Sequence, residues 1–175
     1  DTFRPKANIS REEFSVIMTR VLGLGALNVT VTEYPFPDVT PSTAADWSIK
    51  ATKIAYDLGI IKGFEDGTFR GNENVTRQQV CVILCKVAGI YNLGLPVEFG
   101  DEVSDWARTY VEAVVQNGFV SLEDGNKFRA TEDMTREEAD NLPDGDNLME
   151  RLPSLEMVEA YPYTWSTKRA TINVC

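Results

Sequence analysis

The chain of 175 residues suits one domain of ordinary size, or a few small repeats sharing a core, and its 43% hydrophobic and 10% aromatic content excludes a disordered polypeptide. Seventeen basic residues against 27 acidic ones leave a net charge of −10, which argues against bulk binding to nucleic acid or to an anionic membrane surface. Histidine is absent, removing the commonest general base and the commonest transition-metal ligand, and no apolar run approaches the ~20 residues that span a bilayer.

The chain opens on Thr2-Phe3-Arg4, which matches Thr68-Phe69-Arg70 further on, so the start reads as the middle of a repeat with no signal-peptide pattern before it. Ile9-Ser10-Arg11-Glu12-Glu13 follows. A hydroxyl residue with Glu or Gln three positions later is the capping-box pattern, so a helix is predicted from Arg11, with Phe14, Ile17, Met18, Val21 and Leu22 as its apolar stripe and Gly23 as its stop. Residues 1–26 thus form the second half of a first repeat. Residues 27–35 are a linker, in which Asn28 to Thr32 has strand-like composition but is short.

A fuller repeat occupies residues 36–90. Phe36-Pro37-Asp38-Val39 opens it, and Trp47, Ala51, Ile54, Ala55 and Leu58 then recur at helical spacing before Gly59. Gly63 to Phe69 is a turn built on Asp66-Gly67. Val75-Thr76-Arg77-Gln78-Gln79 repeats the capping box and starts a helix carrying Val80, Ile83, Leu84 and Val87, ending at Gly89. Cys81 and Cys85 share one face of that helix, a spacing that rarely suits a disulfide; they read either as a redox or metal pair or as two small buried side chains. The terminal Cys175 is left unassigned.

Residues 91–98 form a second linker, and a third repeat spans residues 99–152. It carries Asp105-Trp106, Gly118, Phe128-Arg129 and a third motif, Met134-Thr135-Arg136-Glu137-Glu138. Its opening, Gly100-Asp101-Glu102, is blurred, and Leu122 stands where Gly63 does. Pro143 should end its second helix near Asn141 or Leu142. Asp144-Gly145-Asp146-Asn147 is a turn able to cap a short helix through Leu152; it resembles part of a calcium loop without the full ligand spacing. Residues 153–175 match nothing else in the chain.

The residue that local preference does not explain is the motif arginine. It occupies the first helical position, where the positive end of the helix dipole disfavours a cation by about 0.3–1 kcal/mol. It recurs as Arg11, Arg77 and Arg136.

These elements together resemble the S-layer homology domain. That module's repeat opens with Phe-x-Asp-Val, has a Trp-bearing first helix and a Gly-Ile-x-x-Gly-x-x-Asp-Gly-x-Phe loop, and starts its second helix with Thr-Arg-Ala-Glu. Here Phe36-x-Asp38-Val39, Trp47, Gly59-Ile60-x-x-Gly63-x-x-Asp66-Gly67-Thr68-Phe69 and Thr76-Arg77-Gln78-Gln79 supply them in order. The resemblance covers roughly residues 1 to 140. It implies an all-α fold of helix–loop–helix repeats in a pseudo-threefold assembly, with the first repeat incomplete in this chain. It further implies a non-catalytic, extracellular module that binds secondary cell-wall polysaccharide, often bearing pyruvate ketals, and so anchors a surface protein to the wall or S-layer. By matching positions, Arg11, Arg77 and Arg136 correspond to the ligand-contacting arginine, Asp38 and Asp101 to the opening aspartate, and Trp47 and Trp106 to the groove tryptophan. No cofactor or metal is implied.

The chemistry fits that expectation. Arginine pairs with a carboxylate through two parallel hydrogen bonds, and free backbone N–H groups at a helix start would favour an anion as well. Tryptophan offers a flat face to a sugar ring, and an aspartate accepts from sugar hydroxyls or orients an arginine. Set against this are ion-paired surface roles for the arginines, core packing for the tryptophans and plain turn roles for the aspartates. The alternative function is a structural module that assembles with other surface-layer subunits without binding glycan. Without histidine, a nucleophile elbow or a metal constellation, an enzyme is not expected.

Overall fold

The computed structural model describes residues 4–24 and 29–142. Five helices follow in order: α1 (Arg11–Val21), α2 (Asp46–Asp57), α3 (Arg77–Ala88), α4 (Asp105–Gln116) and α5 (Arg136–Asp140). Among the described residues there is no strand, only isolated bridges, so the predicted all-α fold stands. The Asn141–Leu142 region ends α5 as the following proline requires, and Gly89 closes α3 in the left-handed region at φ 63°. The Asp144–Asn147 turn, the helix through Leu152, Cys175 and the 153–175 tail lie outside the described residues.

Each motif helix starts at its arginine with the cap residue one position before it, and the capping box is complete at Ser10 and Thr135. The return bonds run from the cap amides to Glu13 (3.0 Å), Gln79 (3.1 Å) and Glu138 (2.8 Å). The hydroxyl side holds at Ser10 and Thr135 but is loosest at Thr76, whose hydroxyl has no hydrogen-bond partner.

The three motifs meet about a common axis. Ile9 N–H donates to the Met134 carbonyl, Met134 N–H to Val75 and Val75 N–H to Ile9, at 3.0, 2.9 and 3.0 Å, which closes a ring of three backbone hydrogen bonds. One residue pair further out, the amides of Arg11, Arg77 and Arg136 each donate over 2.9 Å to the carbonyls of Glu73, Glu132 and Ala7. The next amides, of Glu12, Gln78 and Glu137, donate to Gly71, Ala130 and Pro5. The N–H groups that a helix start normally leaves open are therefore closed by a neighbouring repeat. This corrects the expectation that free N–H groups flank each arginine: they are spent on assembling the repeats.

Helices pair across repeat boundaries too. α1 packs on α2 and α3 on α4, so the second helix of one repeat lies against the first helix of the next. The core is continuous through Phe14, Met18, Val75, Leu84, Val111, Val114 and Phe128. Cys81 and Cys85 are buried free thiols within it. Burial pushes both thiols up, that of Cys85 to about 12, so the small-side-chain reading fits their surroundings.

Candidate functional site between repeats

The motif arginines reach across the repeat boundaries. Arg11 Nε donates to the Phe69 carbonyl at 2.9 Å and its terminal nitrogen to Gln79 Oε1 at 3.4 Å. Arg77 repeats the pattern on Phe128 (2.9 Å) and Glu138 Oε1 (2.6 Å). Arg136 pairs with Glu13, which completes the circle. Thus the Glu or Gln that caps its own helix also receives the arginine of the adjacent repeat. The Arg136 Nε is buried without a partner among the described residues; the position equivalent to Phe69 and Phe128 is Phe3, which lies outside them.

Arg11 and Arg77 also lie over the rings of the residues whose carbonyls they take, and Arg11 over Phe64 as well. Arg11 is 4.8 Å from the centroid of Phe64 and 4.9 Å from that of Phe69, and Arg77 is 5.1 Å from that of Phe128. Such cation–π contacts offset part of the desolvation of a buried guanidinium. Arg77 is only 6% exposed, while Arg11 and Arg136 are half-buried. Burial lowers the Arg11 pKa from its ordinary value. For Glu13 and Glu138 burial acts upward but is outweighed by the capping amides and the arginines, so both carboxyls sit below their usual range.

Asp38 and Asp101 take up matching positions. Asp38 accepts the amides of Phe69 (2.9 Å) and Arg70 (2.7 Å), and Asp101 those of Phe128 (2.8 Å) and Arg129 (2.5 Å). Arg70 and Arg129 both have φ 57°, a left-handed conformation that costs a non-glycine residue energy. Each aspartate therefore braces a strained turn directly beneath an arginine's carbonyl acceptor. A carboxylate has about four lone-pair sites, so two remain for a further donor.

Trp47 and Trp106 are not core residues: they are 48% and 57% exposed. Each stands at the second position of its helix, and the helix start is tied to the neighbouring motif. Ser48 Oγ donates to Glu12 at 2.5 Å, and the Ser104 amide donates to Gln78 at 3.3 Å. Ser48, next in sequence to Trp47, is thereby tied to the start of α1 that carries Arg11, and Ser104, two residues before Trp106, to the start of α3 that carries Arg77. Each of these two boundaries thus carries a motif arginine and an aspartate that braces its carbonyl acceptor, with an exposed tryptophan on the helix that follows.

The sequence did not single out Glu13, Gln79 and Glu138 as partners of the arginines, nor Phe69 and Phe128 as their carbonyl acceptors. Their positions within the repeat were visible; their pairing is not, because it joins residues 51 to 123 positions apart. Among the described residues no cluster of three potential metal ligands occurs, and no helix is long and apolar enough to cross a membrane.

Helix–loop–helix units closed about a pseudo-threefold ring, with aromatic-and-arginine boundaries, define a repeat module. The sequence model of the S-layer homology domain matches residues 35–81 and 98–139, half of the chain, and the chain belongs to that family. It is 29% identical over 150 residues to cell surface glycoprotein 1 of Acetivibrio thermocellus, covering 79% of this chain and 6% of the relative. It is 33% identical over 147 residues to an endoglucanase of a Bacillus species, covering 79% and 15%. A cellulosome-anchoring protein of Acetivibrio thermocellus is 28% identical over 149 residues, covering 78% and 31%. The chain thus spans under a third of the length of these curated relatives. The family assignment and these relatives support a place in cell-surface anchoring.

Proposed function

We propose that this chain is a non-catalytic carbohydrate-binding module that fastens a larger extracellular protein to the bacterial cell wall through an acidic secondary cell-wall polysaccharide, one bearing pyruvate ketals. The repeats are residues 1–26, 36–90 and 99–152, and the glycan lies in the boundaries between them. The observation that carries the reading is the pair of exposed tryptophans, each on a helix whose start is tied to an arginine-bearing helix start. Each exposed indole offers a flat apolar face on which a sugar ring can stack and an N–H that can donate to a sugar hydroxyl.

In this reading Trp47 and Trp106 stack on sugar rings. Arg11, Arg77 and Arg136 stand at the boundaries as donors to the glycan, Arg77 and Arg136 with their charges already met by Glu138 and Glu13. Asp38 and Asp101 hold the turns that aim the arginines and offer their spare lone pairs to sugar hydroxyls. The enzymes among the relatives have long stretches outside this chain, which is consistent with catalysis residing there.

The test is retention on purified cell walls. Wild-type chain should bind intact walls and fail to bind walls stripped of their polysaccharide. Trp47→Ala should weaken retention about tenfold, equivalent to ~1.4 kcal/mol. Equal binding to stripped walls would overturn the reading. Concentration-dependent oligomers with no wall affinity would replace it with assembly among surface-layer subunits.

A further inference from the structure

The circle of cross-repeat contacts is not uniform in charge. Arg77 faces the carboxylate of Glu138, an oxygen it shares with Arg129, which is itself paired with Glu123 and Glu132; Arg136 faces that of Glu13. Arg11 faces Gln79, a neutral amide, at the longer distance of 3.4 Å. Among the described residues no carboxylate forms an ion pair with Arg11, although it is a half-buried guanidinium held over two aromatic rings. The acids that act on it do so at longer range. Asp38 is committed to the Phe69 and Arg70 amides, and Glu73 is exposed. The neighbouring cation Arg70 works against them. Glu12, the next residue in α1, is bonded to Ser48.

We propose that Gln79 is the specificity-determining residue of the module, because it leaves Arg11 as the motif arginine whose charge is free to take an acidic sugar substituent, while Glu138 and Glu13 neutralise Arg77 and Arg136. This rests on the polysaccharide-binding reading and narrows it to one boundary. An incoming carboxylate at Arg77 or Arg136 must compete with a resident carboxylate already in hydrogen-bond contact; at Arg11 it competes only with an amide oxygen. Gln79 meanwhile keeps the capping bond to the Thr76 amide that Glu13 and Glu138 make in their own repeats. The Glu-to-Gln difference therefore changes the charge of the site while the return bond of the cap is kept.

Two measurements test this on the whole chain. Arginine side-chain Nε–Hε resonances are followed by NMR while sodium pyruvate, a minimal carboxylate, is added. Arg11 should shift in the wild type, Arg77 and Arg136 should not, and Gln79→Glu should abolish the Arg11 shift. Glu13→Gln, which copies the Gln79 arrangement one repeat round, should make Arg136 respond as well. In parallel, Gln79→Glu should weaken binding to purified pyruvylated polysaccharide about tenfold, or ~1.4 kcal/mol, with a melting temperature equal to or above that of the wild type. Shifts of similar size at all three arginines, or an Arg11 that responds equally with Glu at position 79, would overturn the proposal. If pyruvate moves Arg11 alone but the polysaccharide does not bind, the charge assignment stands and the wall-binding reading falls. If the polysaccharide binds with Gln79→Glu at wild-type affinity, the reverse holds.

Discussion

At the scale of the residue, Asp38 shows how a side chain can be recognised as important and still be unreadable in role. From sequence, a turn residue and a sugar-hydroxyl acceptor were equally open to it. Its partners are the amides of Phe69 and Arg70, some thirty positions away, so no local pattern reveals them. The amide of Arg70 is presented by a left-handed backbone, and both bonds are made to a carboxylate. Removing that acceptor leaves two amides and a strained turn without a brace. Asp38→Ala is expected to cost about 2–4 kcal/mol of unfolding free energy, read by urea denaturation, from two charge-assisted bonds at ~1.5–3 kcal/mol each less what water restores. A loss under half of the lower figure would mean that the turn holds itself. The motif arginine is the converse case. Its cost to the helix was legible, and the conclusion that something beyond the helix explains it was sound. That something includes a carbonyl and a cap residue of the next repeat, visible only once the repeats are closed.

At the scale of the element, helix starts and stops were the most legible part of the chain, because caps and glycines act within one turn. The same local logic failed to say why the third repeat departs from the second. Gly63 has no room for a side chain: an added Cβ would lie 2.6 Å from the Phe36 ring and 2.7 Å from the Thr68 carbonyl. The Phe36 ring is stacked on Phe69 at 5.3 Å, whereas its counterpart Phe99 stands edge-on to Phe128 at 6.4 Å. In the third repeat, then, the opening ring is differently placed, and Leu122 takes the Gly63 position and packs against the core. The opening that looked blurred in sequence is restored by geometry: Gly100 donates its amide to Asn126, and a side chain there would collide with the Gly125 carbonyl. Gly63→Ala should accordingly destabilise the protein by about 1–3 kcal/mol through overpacking. Pairing it with Phe36→Leu should recover part of the loss, and a neutral Gly63→Ala in thermal unfolding would refute the steric account.

At the scale of the whole molecule, the repeats are joined by a closed circuit, and its charged links make the assembly acid-sensitive in a defined direction. Glu13 and Glu138 each accept a capping amide and the motif arginine of the adjacent repeat, Glu138 also pairing with Arg129 of its own repeat, and both carboxyls are held below their usual value of 4.5. A carboxyl with a depressed folded pKa contributes stability that is complete above its unfolded pKa and is lost as pH falls through the folded one. Between neutral pH and about pH 5 these two links should leave stability unchanged; below about 4.5 they should weaken it progressively as protons displace the arginines. The link through Gln79 does not titrate, so the boundary between the first and second repeats should keep its side-chain contact when the other two have loosened. Hydrogen exchange at low pH would read this directly. The Met134 and Ile9 amides, at the boundaries bridged by Arg77–Glu138 and Arg136–Glu13, should lose protection on acidification. Replacing both acids by glutamine should flatten that response while lowering stability at neutral pH, because the charge-assisted links are then gone at every pH. A steep acid response that persists in Glu13→Gln/Glu138→Gln would place the sensitivity elsewhere among the acidic residues and detach it from the ring.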